Sequence, residues 1–111
     1  MVKGPRRGDV IVVDLRPGVG VEQQGEPRPC VVISSGAYNA LSSLLVVCPL
    51  TKRRKGRAFE VPVTFHGVDS AVLVDHVRSI DKRTRGARVV GSLDEDALAH
   101  VLAKLQALLF Q

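Results

Sequence analysis

The end of this chain changes period, and that change constrains its fold more than any other feature. Leu98, Val101, Leu102, Leu105, Leu108 and Leu109 recur in steps of three and four, which lays one apolar stripe along a helix. Everything before them reads as short extended pieces, with no helical pattern standing between successive strand patterns. A parallel sheet needs a long crossover, usually a helix, between its strands, so the pattern argues against one. The expected fold is mainly β, a small antiparallel sheet or barrel closed by a C-terminal helix. A length of 111 residues supports one hydrophobic core, so 1–111 is expected to form a single domain.

The strands are legible one by one. Gly8-Asp9 opens the apolar run Val10 to Val13, a buried strand expected to end near Leu15. Cys30 to Ile33 is a second, entered in extended form through Pro29, and Leu44 to Leu50 is a third, stopped by Pro49. Phe59, Val61, Val63 and Phe65 alternate with Glu60, Pro62 and Thr64, the period of a half-buried strand. Pro62 has no amide to give to a ladder, which assigns that strand to an edge. Ala71 to Val74 and Val77 to Ile80 read as one interrupted strand, and Arg88 to Val90 as a short last one. Ser92 and Glu95 then match a capping box, and Asp94 and Asp96 favour the positive end of the helix dipole.

The longest uncharged stretch, Pro29 to Thr51, has 23 residues but is broken by Ser34-Ser35-Gly36, Asn39 and Ser42-Ser43. It therefore offers no continuous apolar span for a membrane. The N-terminus shows no secretory signal pattern, since Asp14 ends its apolar run at once. Cys30 and Cys48 sit inside apolar runs and form no C-x-x-C, so they read as buried, reduced thiols in a cytoplasmic protein. No cofactor or metal is expected from these spacings.

Charge is segregated. The whole chain carries +5, yet residues 52–91 hold ten basic side chains against four acidic ones, a local +6. The excess belongs to two segments: Lys52, Arg53, Arg54, Lys55 and Arg57, then Arg78, Lys82, Arg83, Arg85 and Arg88. Such runs are either solvated loops or a phosphate-binding surface, and two of them on one small domain favour a polyanion. With four aromatic residues (Tyr38, Phe59, Phe65, Phe110) and no Trp, successive bases stacked on an aromatic sheet are poorly supported.

One connection is long for a hairpin. Arg16 to Arg28 contains Gly18, Gly20, Gly25, Pro17 and Pro27, and its Gly18-x-Gly20 lacks both the third glycine and the following helix of a dinucleotide site. It delivers Glu22, Gln23, Gln24 and Arg28 to one end of the barrel, with Arg28 restricted by a proline on each side.

Taken in order, Gly8-Asp9-Val10-Ile11, Glu22-Gln23-Gln24-Gly25, Arg28-Pro29, Tyr38-Asn39, Pro49-Leu50-Thr51 and Asp75 through Arg78-Ser79-Ile80 resemble the MazF/PemK (Kid) toxins, the ribonucleases of bacterial toxin–antitoxin pairs. The resemblance covers essentially the whole chain, closing helix included. It implies an SH3-like barrel, a homodimer, a cytoplasmic location, and metal-independent cleavage of single-stranded RNA at short sequences. In that family the ribose 2′-hydroxyl is the nucleophile, and the products are a 2′,3′-cyclic phosphate and a 5′-hydroxyl. The family's catalytic residues fall on Arg28 and Thr51, with Glu22 as a further candidate base. A forked, permanently charged Arg28 suits a phosphorane in which negative charge builds up. Gln23, Gln24, Lys52, Arg53, Arg54, Lys55, Arg57, Arg78, Arg83 and Arg85 are the expected RNA contacts, with RNA held mainly through phosphates and polar base contacts. An acidic antitoxin is the implied protein partner, its charge opposite to the local +6.

Two departures are visible. Lys52 follows Thr51 where many relatives have Ser or Thr, and His76 follows Asp75 where many have Gln. His76 is a candidate proton carrier or a bystander; His66, beside Gly67, and His100, on the helix, read as bystanders. Two other functions compete. A non-catalytic basic RNA-binding barrel needs only the charge. A gyrase inhibitor resembling CcdB would share the fold, but that family depends on a C-terminal Trp-Gly-Ile, and this chain ends Leu108-Leu109-Phe110-Gln111.

Overall fold

The computed structural model describes residues 4–14 and 27–111. Seven strands, β1 (Asp9–Val13), β2 (Arg28–Val32), β3 (Leu44–Thr51), β4 (Glu60–Phe65), β5 (Val68–Leu73), β6 (Arg78–Asp81) and β7 (Arg88–Ser92), form one antiparallel sheet. Its path is β4-β5-β3-β2-β1-β7, with β6 attached to β3 beside that path. A short helix α1 (Gly36–Leu41) joins β2 to β3, and α2 (Glu95–Phe110) closes the chain. The expected mainly β fold with a C-terminal helix is what forms, with the sheet curled into a half-barrel.

The long strand β3 organises the curl. On one edge it pairs with β2, through Val31↔Cys48 and Val32↔Val47. On the other its first half pairs with β6 and its last two residues, Leu50 and Thr51, with β5. The sequence pattern read as one interrupted strand is therefore two strands on one edge of β3, separated by the 3-10 turn Val74–His76. A bulge between Val10 and Ile11 in the β1–β7 ladder adds to the twist. The outer strands β4 and β7 then approach through side chains: a Cβ on Gly91 would stand 2.9 Å from the Phe65 ring. Pro62 lies in β4 at the end of the path, the edge position its missing amide requires.

Two apolar clusters explain why β2 and β3 carry unbroken apolar runs rather than alternation. Val31, Cys48, Leu50, Val61, Val63, Val72 and Val74 meet Val101 and Leu105 of α2 on one face. Ile11, Val13, Cys30, Val32, Leu45, Val47 and Ile80 pack together as a separate cluster. Each fully buried Val or Leu side chain contributes roughly 1.5–3 kcal/mol, so the helix is held mainly by Val101 and Leu105. Gly8, at φ +95, sits where a Cβ would stand 2.9 Å from Leu98, which lets the start of β1 lie against α2.

Three sequence expectations need correction. Asp94, not Ser92, caps α2: its carboxylate accepts from the Ala97 amide at 2.8 Å, while Ser92 is still the last residue of β7. The side chain two places later wins because β7 keeps its ladder as far as Ser92. β5 begins at Val68 rather than Ala71, because a two-residue turn already pairs Val68 with Phe65. And α1 was not expected: it is capped by Ser35 and pinned by Asn39, which is fully buried and donates to the carbonyls of Pro5 and Ser34 at 2.8 and 3.1 Å. Both cysteines are free and buried, as expected, and burial pushes each thiol up to about 12. Among the described residues no helix is long and apolar enough to cross a membrane.

Candidate RNA-cleaving site

Arg28 opens β2 between Pro27 and Pro29, opposite Val13 of β1, with its side chain exposed. Thr51 ends β3, where the ladder to β5 runs out at the pair Thr51↔Ala71. The hydroxyl of Thr51 accepts from the Arg53 amide at 3.1 Å. That bond fixes the side chain in a tight turn and leaves the O–H free to donate elsewhere. Arg28 and Thr51 line one open cleft of about 1000 Å³, together with Lys52, Arg53, His66, Ser70 and the apolar side chains Val12, Leu50, Phe65, Val68 and Val90. A permanent cation, a hydroxyl and two further cations around an open hollow have the chemistry to hold a phosphate: the charges would offset a phosphodiester and the hydroxyl would supply a directed hydrogen bond.

Arg28 also borders a second hollow of about 440 Å³, lined by Pro49, Leu73, His76, Val77 and Arg78. His76 thus shares a wall with Arg28 but not with Thr51. Its Nε2 lies 3.9 Å from the Asp75 carboxylate, and both side chains are about half exposed.

The basic segment after Thr51 divides. Lys52 and Arg53 face the cleft. Arg54 turns away: its guanidinium donates to the carbonyls of Ser70 and Val63 at 2.9 and 3.2 Å and stands 3.9 Å from Asp69. Lys55 is exposed, but its amide and that of Gly56 both donate to one oxygen of Glu60, at 2.9 and 3.1 Å, and the Glu60 amide donates to the Arg57 carbonyl at 3.2 Å. Glu60 is only 9% exposed and acts as the peg on which the segment turns. Its role was not readable from the alternation of β4, which marks it as an outward polar residue.

The other basic segment surrounds the β6–β7 turn. Arg78 faces the second hollow, whereas Arg83 and Arg85 ride on the turn. There the Asp81 carboxylate accepts from the amides of Arg83 and Thr84, both at 3.0 Å. These bonds, that from Thr84 above all, hold its carboxyl below the usual carboxylate range. Arg85 donates to the Asp14 carbonyl at 3.2 Å, tying the turn to the end of β1.

The fold therefore unites Arg28, Thr51, Lys52 and Arg53, places His76 and Arg78 on the far side of Arg28, and sets Arg54, Lys55, Arg57, Arg83 and Arg85 outside the main cleft. Glu22, Gln23 and Gln24 lie outside the described residues. Sequence reasoning missed His66, which lines the main cleft rather than standing aside. The only signal was its place after an alternating strand and before a glycine, the form of a tight hairpin.

Comparison with known proteins agrees with the fold. Residues 6–109 match the family model described as the PemK-like, MazF-like toxin of type II toxin–antitoxin systems. The endoribonuclease toxin MazF of Escherichia coli (strain K12) is 38% identical over 105 residues, spanning 95% of this chain and 94% of that protein. The crystal structure of MazF from Deinococcus radiodurans superposes with a TM-score of 0.83 at 42% identity, covering 96% of this chain and 97% of that one. A MazE–MazF crystal structure from the same organism gives 0.81 at 38% identity, with 96% of each chain covered.

Proposed function

The chain belongs to the PemK-like, MazF-like toxins of type II toxin–antitoxin systems, and on that premise we propose that its main cleft cleaves single-stranded RNA with Arg28 and Thr51 as the catalytic pair. It is a toxin endoribonuclease, and its protein partner is an antitoxin. One observation carries the assignment of the site: two residues distant in sequence, on different strands, line one cleft together with Lys52 and Arg53.

The chemistry follows from what those groups can do. A phosphodiester enters with its non-bridging oxygens on the Arg28 guanidinium and the Thr51 hydroxyl, while Lys52 and Arg53 hold neighbouring phosphates. The 2′-oxygen attacks phosphorus and loses its proton to a base; the bond to the 5′-oxygen breaks, and that oxygen takes up a proton. The products are a 2′,3′-cyclic phosphate and a 5′-hydroxyl, and no bond to the protein forms. Charge building on the phosphorane is met by Arg28, whose fork is charged at every relevant pH. The substrate brings its own nucleophile, so the step requires no metal. Glu22 is the candidate base, and His76, which shares the second hollow with Arg28, a candidate extra proton carrier.

The same reading includes a single domain over 1–111 acting in the cytoplasm as a homodimer. The exposed apolar side chains Leu41, Tyr38 and Val89 are candidates for cover in a dimer. An acidic antitoxin segment would compete with RNA for Lys52 and Arg53, steered to them by opposite charge.

The deciding experiment maps 5′-hydroxyl ends on a long mixed RNA with EDTA present, using wild type and Arg28→Ala in parallel. Discrete new 5′-hydroxyl ends with wild type only are the expected result. Retarded RNA without new ends, or equal cleavage by both proteins, would refute it.

A further inference from the structure

His66 belongs to none of the roles above, yet it is built into the cleft wall by three independent features. It forms with Gly67 a two-residue turn in which both residues have positive φ, +50 and +75, and across which Phe65 pairs with Val68. That is the hairpin turn whose twist matches its strands, usually made by Asn-Gly. The imidazole stacks on the ring of Phe65, centroids 4.0 Å apart and planes 19° from parallel. And β7 carries glycine at the point of contact: a Cβ on Gly91 would stand 2.9 Å from the Phe65 ring and 3.1 Å from His66 Nε2. Strand, turn and neighbouring backbone all agree on where this ring lies.

One face of the imidazole is thus backed by Phe65, and the residue is exposed on the cleft that Arg28 and Thr51 share. The same cleft presents the apolar side chains Val12, Val68 and Val90 beside the polar Ser70 and the cations Arg28, Lys52 and Arg53. A flat aromatic group among apolar side chains, in the cleft that Arg28 and Thr51 also line, suits a nucleobase rather than another phosphate: aromatic faces stack on any base, and the base lies one sugar away from its phosphate.

We propose that His66, supported by Phe65, is the base-stacking residue of this site, holding the nucleobase next to the scissile phosphate and so setting RNA affinity at that position. The proposal rests on the reading that Arg28 and Thr51 hold that phosphate. It adds one stacking contact to the expected phosphate and polar base contacts: one well-placed pair suffices for one base.

The test uses the full chain and an RNA oligonucleotide spanning a cleavage position mapped with wild type, with Arg28→Ala as control. His66→Asn removes the ring while keeping a residue suited to positive φ, and His66→Phe keeps an aromatic plane but no proton to exchange. His66→Asn is expected to raise KM on the order of tenfold, the scale of one base–aromatic stack, with kcat little changed and an unchanged thermal midpoint. His66→Phe is expected to keep the wild-type KM. Making the RNA abasic at one position flanking the cut should raise the wild-type KM and erase the difference between wild type and His66→Asn. An unchanged KM in His66→Asn overturns stacking, as does a kcat lost alike in His66→Asn and His66→Phe, which would mark a proton-transfer role. RNA left uncut by wild type, or cut equally by Arg28→Ala, overturns the phosphate reading and this proposal with it.

Discussion

The two basic segments, Lys52 to Arg57 and Arg78 to Arg88, carry five basic side chains each, and each is anchored by one carboxylate that accepts two backbone amides. Glu60 holds Lys55 and Gly56; Asp81 holds Arg83 and Thr84. The difference lies in what the anchor leaves behind. Glu60 is buried under a segment that continues β3, so its first two cations stay at the mouth of the cleft while Arg54 folds back onto the sheet. Asp81 sits in a turn that ends at β1, and its arginines ride beyond the cleft. Only Arg78, at the other end of that segment, borders a hollow shared with Arg28. The same number of basic side chains therefore becomes a cleft-facing pair in one place and a peripheral rim in the other.

The largest expected effect falls on the residue common to both hollows. Arg28→Ala should lower kcat/KM for RNA by about 10²–10³, the scale of removing one preorganised charge-stabilising donor, with the thermal midpoint unchanged because Arg28 is exposed. Thr51→Ala and His76→Ala then separate the hollows. Loss of one hydrogen bond to a charged group predicts a fall of roughly ten- to hundredfold for Thr51→Ala and a much smaller one for His76→Ala. The reverse ranking would move the chemistry to the second hollow.

The anchors give the next contrast. Glu60→Ala leaves two amides without their acceptor and should cost about 1–3 kcal/mol in chemical denaturation, with a raised KM as Lys52 and Arg53 lose their position. Smaller again is the salt response. If Lys52 meets a phosphate, Lys52→Ala should reduce the slope of log affinity against log salt by about 1, whereas Arg83→Ala should leave it nearly unchanged. Equal slopes would erase the distinction between facing pair and rim. The smallest effect concerns pH. Asp81 is held below its ordinary value in the folded protein, so its contribution is present above the unfolded value near 3.8 and is lost as pH falls through the lower folded one. Wild type should lose slightly more stability than Asp81→Asn between neutral pH and pH 3.

Much of this molecule was legible from pattern. Unbroken apolar runs marked β2 and β3 because both faces of those strands are buried, and Pro62 marked an edge because it cannot donate. The stripe from Leu98 to Leu109 marked α2, though its cap was misjudged by two residues because the β7 ladder holds Ser92. α1 escaped notice because six residues fixed by the buried amide of Asn39 carry no periodic signal. At the site, motif order pointed to Arg28 and Thr51, which line one cleft, while the places of His66 and Glu60 were passed over.

What the sequence determined by itself is local: period, breakers, helix stripe and the sign of the charge are set by neighbours along the chain. Which cations face the cleft, which fold back, and which ring lines its wall were decided only when β3 brought β2, β5 and β6 together and Phe65 met Gly91. Those outcomes depend on contacts between residues far apart in the chain, where no single stretch of sequence carries the information.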